Sequence, residues 1–147
     1  MRTLLLSLSF LFCLSTAASA QSTDIPKGSK LFLEQSGDTQ LKDSIPDVLE
    51  DLTAALNKWG YFTLVAQQKE ADYTLHVDLS YMKDDVLSSF SIFNRKAVIV
   101  DAEVLNPSRQ QVWTTEKFKI GQQGMVGYNI GKAAMKTLVK RLKKDLK

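Results

Sequence analysis

The chain has 147 residues, of which 44% are hydrophobic, 9% aromatic and 24% charged, with a formal net charge of +3. These values suit one globular domain and leave too few residues for two. Seven Gly and three Pro exclude collagen-like or low-complexity character, one Cys excludes a disulfide scaffold and a Cys-rich zinc module, and one His excludes a multi-histidine metal site.

Residues 1–20 read as a cleaved signal peptide. Arg2 supplies a short positive start, residues 4–14 an apolar run, and Ala18-Ser19-Ala20 the small residues of a cleavage site before Gln21. The run is shorter than the ~20 apolar residues of a membrane span. A lipoprotein signal does not fit, because Phe12 precedes Cys13 where a small residue is required. Removal of residues 1–20 leaves 127, without cysteine and with 18 basic and 16 acidic residues. That total hides a split. Residues 21–116 carry 9 basic and 15 acidic residues, net −6, whereas residues 117–147 carry 9 and 1, net +8. The split implies either an internal attraction between body and tail or a surface for anionic partners.

Residues 21–29 are polar and read as a flexible lead-in, with a single domain over 30–147. Residues 30–34 form a first strand and 35–42 a loop around Gly37-Asp38. Ser44 and Asp47 have the spacing of a capping box. Val48, Leu49, Leu52, Ala55, Leu56 and Trp59 then recur at helical spacing, and Gly60 suits the left-handed position after the helix. Residues 62–66 are a second strand, parallel to the first across the helix. Residues 71–82 alternate strictly, with Tyr73, Leu75, Val77, Leu79 and Tyr81 opposite Asp72, Thr74, His76, Asp78 and Ser80. Residues 96–105, a turn at Asn106-Pro107-Ser108, and residues 110–120 complete an antiparallel meander. A tail helix over about 125–147 carries an apolar line of Ile130, Ala134, Leu138, Leu142 and Leu146, broadened by Met135 and Val139.

The order β-α-β-β-β-β-α predicts an α+β two-layer sandwich: a mixed sheet of about five strands with two helices on one face. Tyr73, Leu75, Val77 and Leu79 should meet Leu49, Leu52 and Leu56, leaving the other sheet face polar.

Four constellations carry chemistry. Asp72, His76 and Asp78, joined by Asp101 and Glu103, could hold a cation or place a base beside a carboxylate, but alternating polar residues are also what a wet sheet face requires. Gly121, Gly124, Gly127 and Gly131 precede the basic helix, yet Ala133 after Lys132 breaks the phosphate-loop pattern, so close packing of the helix start or a hinge is the plainer reading. Lys132, Lys136, Lys140, Lys143 and Lys147, extended by Arg141 and Lys144, line one side of the tail helix, either as a solvated outer face or as a candidate anion-binding face centred on Lys132, Lys136, Lys140, Lys143 and Lys144. Val86, Leu87, Phe90, Ile92 and Phe93 crowd the connection between the third and fourth strands, where they either extend the strands as a long hairpin and finish the core or form the candidate partner-binding segment. Catalytic templates are absent: the mature chain has no thiol, and no G-x-S-x-G elbow presents a serine to His76.

The run Asn57-Lys58-Trp59-Gly60-Tyr61-Phe62-Thr63-Leu64-Val65, then Ala71-Asp72-Tyr73-Thr74-Leu75, then the hairpin through Asn106-Pro107 to Val112-Trp113 and a closing helix resembles a small bacterial envelope domain. That domain occurs in the curli secretion channel subunit, the amino-terminal domain of TolB and the lipoprotein activators of penicillin-binding proteins. The resemblance spans residues 30–145 and implies a non-catalytic protein-binding module in the periplasm or at the outer membrane. It transfers no site residues and no lipid anchor.

The expected function is therefore an exported, periplasmic or secreted, protein-binding module for assembly or regulation of envelope structures, with an envelope protein or a second copy meeting its sheet edge or the Phe90–Phe93 segment. No cofactor, metal or nucleic acid is expected. Binding of an anionic lipid or polyanion through the tail helix is the second reading, and a metal-dependent hydrolase the third. If the partner seats on the third-to-fourth connection, changing Phe90 and Phe93 together to Ser should weaken its capture in a pull-down while circular dichroism stays native; an unchanged partner set would place the contact elsewhere.

Overall fold

The computed structural model describes residues 24–37, 48–83, 96–121 and 129–146. Strands β1 (Lys30–Gly37), β2 (Thr63–Leu64), β3 (Tyr73–Lys83), β4 (Lys96–Leu105) and β5 (Gln111–Gly121) form one sheet in the order β2-β1-β3-β4-β5. Helices α1 (Val48–Trp59) and α2 (Ile130–Asp145) lie on one face. The architecture is the expected α+β sandwich, with β1 parallel to β2 and the β3-β4-β5 meander antiparallel. Within the sheet, β1 sits between β2 and β3 and runs parallel to both.

Period-two alternation decides which side chains face the helices. Leu75, Val77 and Leu79 of β3, Val98, Val100, Ala102 and Val104 of β4, and Trp113 and Phe118 of β5 enter the core. The two helices answer with stripes at helical spacing: Val48, Leu52 and Leu56 from α1, and Ala134, Met135, Leu138, Val139 and Leu142 from α2. Leu49, expected to face the sheet, is exposed instead. It lies at the margin of a stripe centred near Val48, Leu52, Ala55, Leu56 and Trp59, so Val48 takes the inner place. Tyr73 packs at the edge of the cluster and is only partly buried.

Several boundaries shift once strands find partners. β1 continues past residue 34, because Gln35, Ser36 and Gly37 pair with Val77, Asp78 and Leu79. Gly37 is required there: at φ +139° an added Cβ would strike the backbone carbonyl of Leu79. β2 shortens to two residues, although Val65 still donates its N–H to Leu31 O at 3.1 Å. Gly60 closes α1 at φ +67°, as its position after the helix predicted, and its N–H reaches Leu56 O at 3.0 Å. The Ser44/Asp47 capping box and residues 125–128 of the tail fall outside the described residues. The described part of α2 starts at Ile130 behind the N-cap Asn129, whose side chain accepts from Lys132 N at 2.9 Å.

The expected flexible lead-in needs correction over its second half. Ile25 is 2% exposed and belongs to the core, Tyr61 Oη donates to Ile25 O at 2.8 Å, and Gly28 N donates to Tyr61 O at 2.7 Å. A single apolar residue among polar ones left no periodicity to read, yet it finds a core site beside Tyr61 and Phe62.

The bulge in β5 ties the tail helix down. Between the pairs Val100–Phe118 and Ala102–Thr115 one residue of β4 opposes two of β5. Such a bulge takes a carbonyl out of the ladder, and Arg141 meets that need. Its Nη1 donates to Glu116 O and to Thr115 Oγ1, both at 2.9 Å, with the guanidinium 4.3 Å above the Phe118 ring. At the last turn of α2, Trp113 Nε1 donates to Asp145 Oδ2 at 3.1 Å. In chemical denaturation, Leu138→Ala should cost roughly 2–5 kcal/mol. Ile25→Ala should cost on the order of 2 kcal/mol or more, whereas a detached lead-in would leave stability unchanged.

Candidate functional site

Two surfaces carry the polar residues that the sequence singled out: the sheet face away from the helices, and the outward side of α2. On the sheet face the cross-strand register sets Glu34, His76, Glu103 and Thr114 in one row, and Ser36, Asp78 and Asp101 in the next. His76 is held at both ring nitrogens. Nδ1 lies 3.3 Å from Glu103 Oε1 and Nε2 lies 2.9 Å from Ser36 Oγ. Because a carboxylate accepts, Nδ1–H is the donor to Glu103, and Nε2 of the neutral ring accepts from the Ser36 hydroxyl. Arg109 Nη1 reaches Glu34 Oε2 at 3.3 Å, and Lys117 Nζ reaches Asp101 Oδ2 at 3.2 Å.

Ser36, His76 and Glu103 have the connectivity of a nucleophile, a base and an orienting acid. Among the described residues nothing is seen to complete it. Acyl transfer needs preorganised donors for an oxyanion in a water-excluded site. These three side chains stand on an open pleated surface, with His76 and Glu103 29% and 35% exposed, and the strands beneath pair with one another in the sheet. The arrangement reads as a hydrogen-bonded tie from β1 across β3 to β4. Asp72, expected beside His76, is engaged elsewhere: its Oδ2 accepts from Lys30 N at 2.8 Å and anchors the start of β1. Among the described residues no group of three or more His, Cys, Asp or Glu is placed to hold a metal ion.

On α2, Lys132, Lys136, Lys140, Lys143 and Lys144 are all exposed. At 100° per residue they fall within an arc of about 120°. Arg141, expected to extend this face, points the other way, onto the β5 bulge. Asp145, the one acid of the helix, faces Trp113. Lys143 stands at the seam with α1, its Nζ 5.6 Å from the ring of Trp59. Among the described residues no ion pair joins these lysines to the acidic body. Lys132–Lys136, Lys136–Lys140 and Lys140–Lys144 are like-charge neighbours one turn apart, each weakening the helix by a few tenths of a kcal/mol. The final lysines suit the negative end of the helix dipole, but Lys132 occupies the first turn, where a cation is disfavoured and no acid accompanies it.

Val86, Leu87, Phe90, Ile92 and Phe93 lie outside the described residues, as do Gly124, Gly127 and Lys147. Gly131 is buried in the first turn of α2, in keeping with close packing of the helix start. Two residues of this face carry no signal in the sequence, Ser36 and Arg109, which meet His76 and Glu34 only through pairing of distant strands. The aromatic group at the end of α1 is a further addition. There Trp59 stacks on Tyr61 at 4.7 Å and meets Phe62 edge-on at 5.6 Å. The sequence Trp59-Gly60-Tyr61-Phe62 was the available signal, since a tight left-handed turn brings aromatics on either side of it together.

No family model matches the chain, and no curated protein does. Solved structures match its fold at low sequence identity. A point variant of PelC from Paraburkholderia phytofirmans, described as a dodecamer, superposes with a TM-score of 0.54 at 13% identity, covering 82% of this chain and 90% of that one. PelC itself from the same organism, also a dodecamer, gives 0.52 at 14% identity, covering 84% and 92%. Protein XCC0632 (DUF330) from Xanthomonas campestris gives 0.50 at 12% identity, covering 86% and 84%. The three families that the sequence pattern resembles are not confirmed by these neighbours. The chain shares its fold, over most of its length, with bacterial proteins of the PelC and DUF330 kind.

Proposed function

We propose that this protein is an exported, non-catalytic binding module of a bacterial envelope, acting in the assembly or regulation of an envelope structure. The observation that carries the reading is one-sided burial. Two helices cover one face of a five-stranded sheet, and among the described residues no helix covers the other, where Phe32, Ile99, His76 and Glu103 are half-buried. A mixed surface of partly buried apolar and tied polar groups suits contact with another protein better than chemistry on a small molecule. The signal-like segment at residues 1–20 supports export. Among the described residues no helix is long and apolar enough to cross a membrane. PelC, which has the same fold, is a dodecamer, and that supports a second copy as one class of partner.

The sheet edges narrow the mode of contact. β5 is a long edge strand, but a bulge and the charged side chains of Lys117 and Lys119 blunt it against strand addition. The open face, not that edge, is the proposed contact. Affinity purification of the mature chain from its native host should retain a partner, either another copy or an envelope protein. The double variant Phe32→Asp, Ile99→Asp should lose it while circular dichroism stays native. Retention of the same partner by a folded double variant would remove the sheet face from the proposal.

A further inference from the structure

We infer that the outward side of α2 is a docking surface for an anionic phospholipid bilayer, met at the level of the headgroups and without insertion. It lies in the helix layer, away from the sheet face proposed above, and does not depend on that contact.

The argument begins with how the fold uses α2. Packing engages one arc of the helix completely: Ala134, Met135, Leu138 and Leu142 have no exposed surface. No apolar stripe is left to enter a membrane. The two charged side chains that the fold does use, Arg141 and Asp145, both turn toward β5. What remains outward is charge of one sign. Lys132, Lys136, Lys140, Lys143 and Lys144 stand in a row about 18 Å long at 1.5 Å per residue, without an ion-pair partner among the described residues. Like charges at one-turn spacing oppose the helix that carries them, and an anionic surface across the row reverses that repulsion.

Two observations favour a bilayer over a soluble polyanion. The five lysines are exposed on one helix within an arc of about 120°, so their long side chains can reach one plane together. Beside its Lys143 end stands the half-buried Trp59, with the Lys143 ammonium 5.6 Å from its ring and Tyr61 stacked on it. Amphipathic aromatics next to basic residues are the side-chain combination that settles at a membrane–water interface.

The test is co-sedimentation of the mature chain, residues 21–147, with vesicles of phosphatidylcholine alone or mixed with phosphatidylglycerol. Binding is expected only to the mixed vesicles and should fall as salt rises. The triple variant Lys132→Gln, Lys136→Gln, Lys140→Gln should lower the partition coefficient on the order of a hundredfold. The variant Lys27→Gln, Lys30→Gln, Lys69→Gln, with the same change in net charge on other exposed positions, should bind nearly as wild type. Equal loss in both variants would reduce the effect to net charge and overturn the site. Binding to phosphatidylcholine alone, or indifference to salt, would overturn the headgroup mechanism. Binding to soluble polyphosphate but not to vesicles would overturn the bilayer as ligand.

Discussion

Burial of the α2 stripe against β4 and β5, beside α1, is the constraint on which the rest of the structure depends. Met135, Leu138 and Leu142 close over a sheet whose inner face is built from Leu75, Val77, Val100 and Val104. Apolar burial of this kind is the dominant favourable term in folding. It also sets the rotation of α2, because turning the helix would expose leucines and bury lysines without partners. Every other placement on α2 follows. Arg141 arrives at the β5 bulge, Asp145 at Trp113, and the lysine row at the surface.

Among the described residues no helix lies on the far side of the sheet, and that face is organised by polar ties between strands. Ser36, His76 and Glu103 link three strands in a line. Arg109, held at φ 60° in the β4–β5 turn, reaches back to Glu34 on β1. Exposed ties of this sort contribute little stability individually. Their effect is to hold side chains in defined positions on this face of the sheet.

Elements with a strong local period are legible in the amino-acid sequence. The alternation of residues 73–79 announces a half-buried strand, and the recurrence of Val48, Leu52 and Leu56 a helix ended by Gly60. Non-local pairing is not legible. Gln35, Ser36 and Gly37 look like the start of a loop and become strand only because Val77, Asp78 and Leu79 lie alongside. Ile25 gives no pattern by itself and is core only because Tyr61 and Phe62 receive it. The lysine face is visible as a charged helix side, but Arg141, grouped with it in the sequence, lies about 60° beyond its arc at 100° per residue, and its partner is a bulge that no local pattern reports.

Local sequence thus determined the kind and order of the elements, the one-sided sheet and the segregation of charge into an acidic body and a basic tail, because hydrophobic periodicity and charge are properties of neighbouring residues. Tertiary structure decided that β1 lies between β2 and β3, that His76 meets Ser36 and Glu103, and that Arg141 turns from the tail helix onto the β5 bulge. Those outcomes depend on which distant backbones pair and how a helix rotates on its sheet, and such choices are made by packing across the whole core.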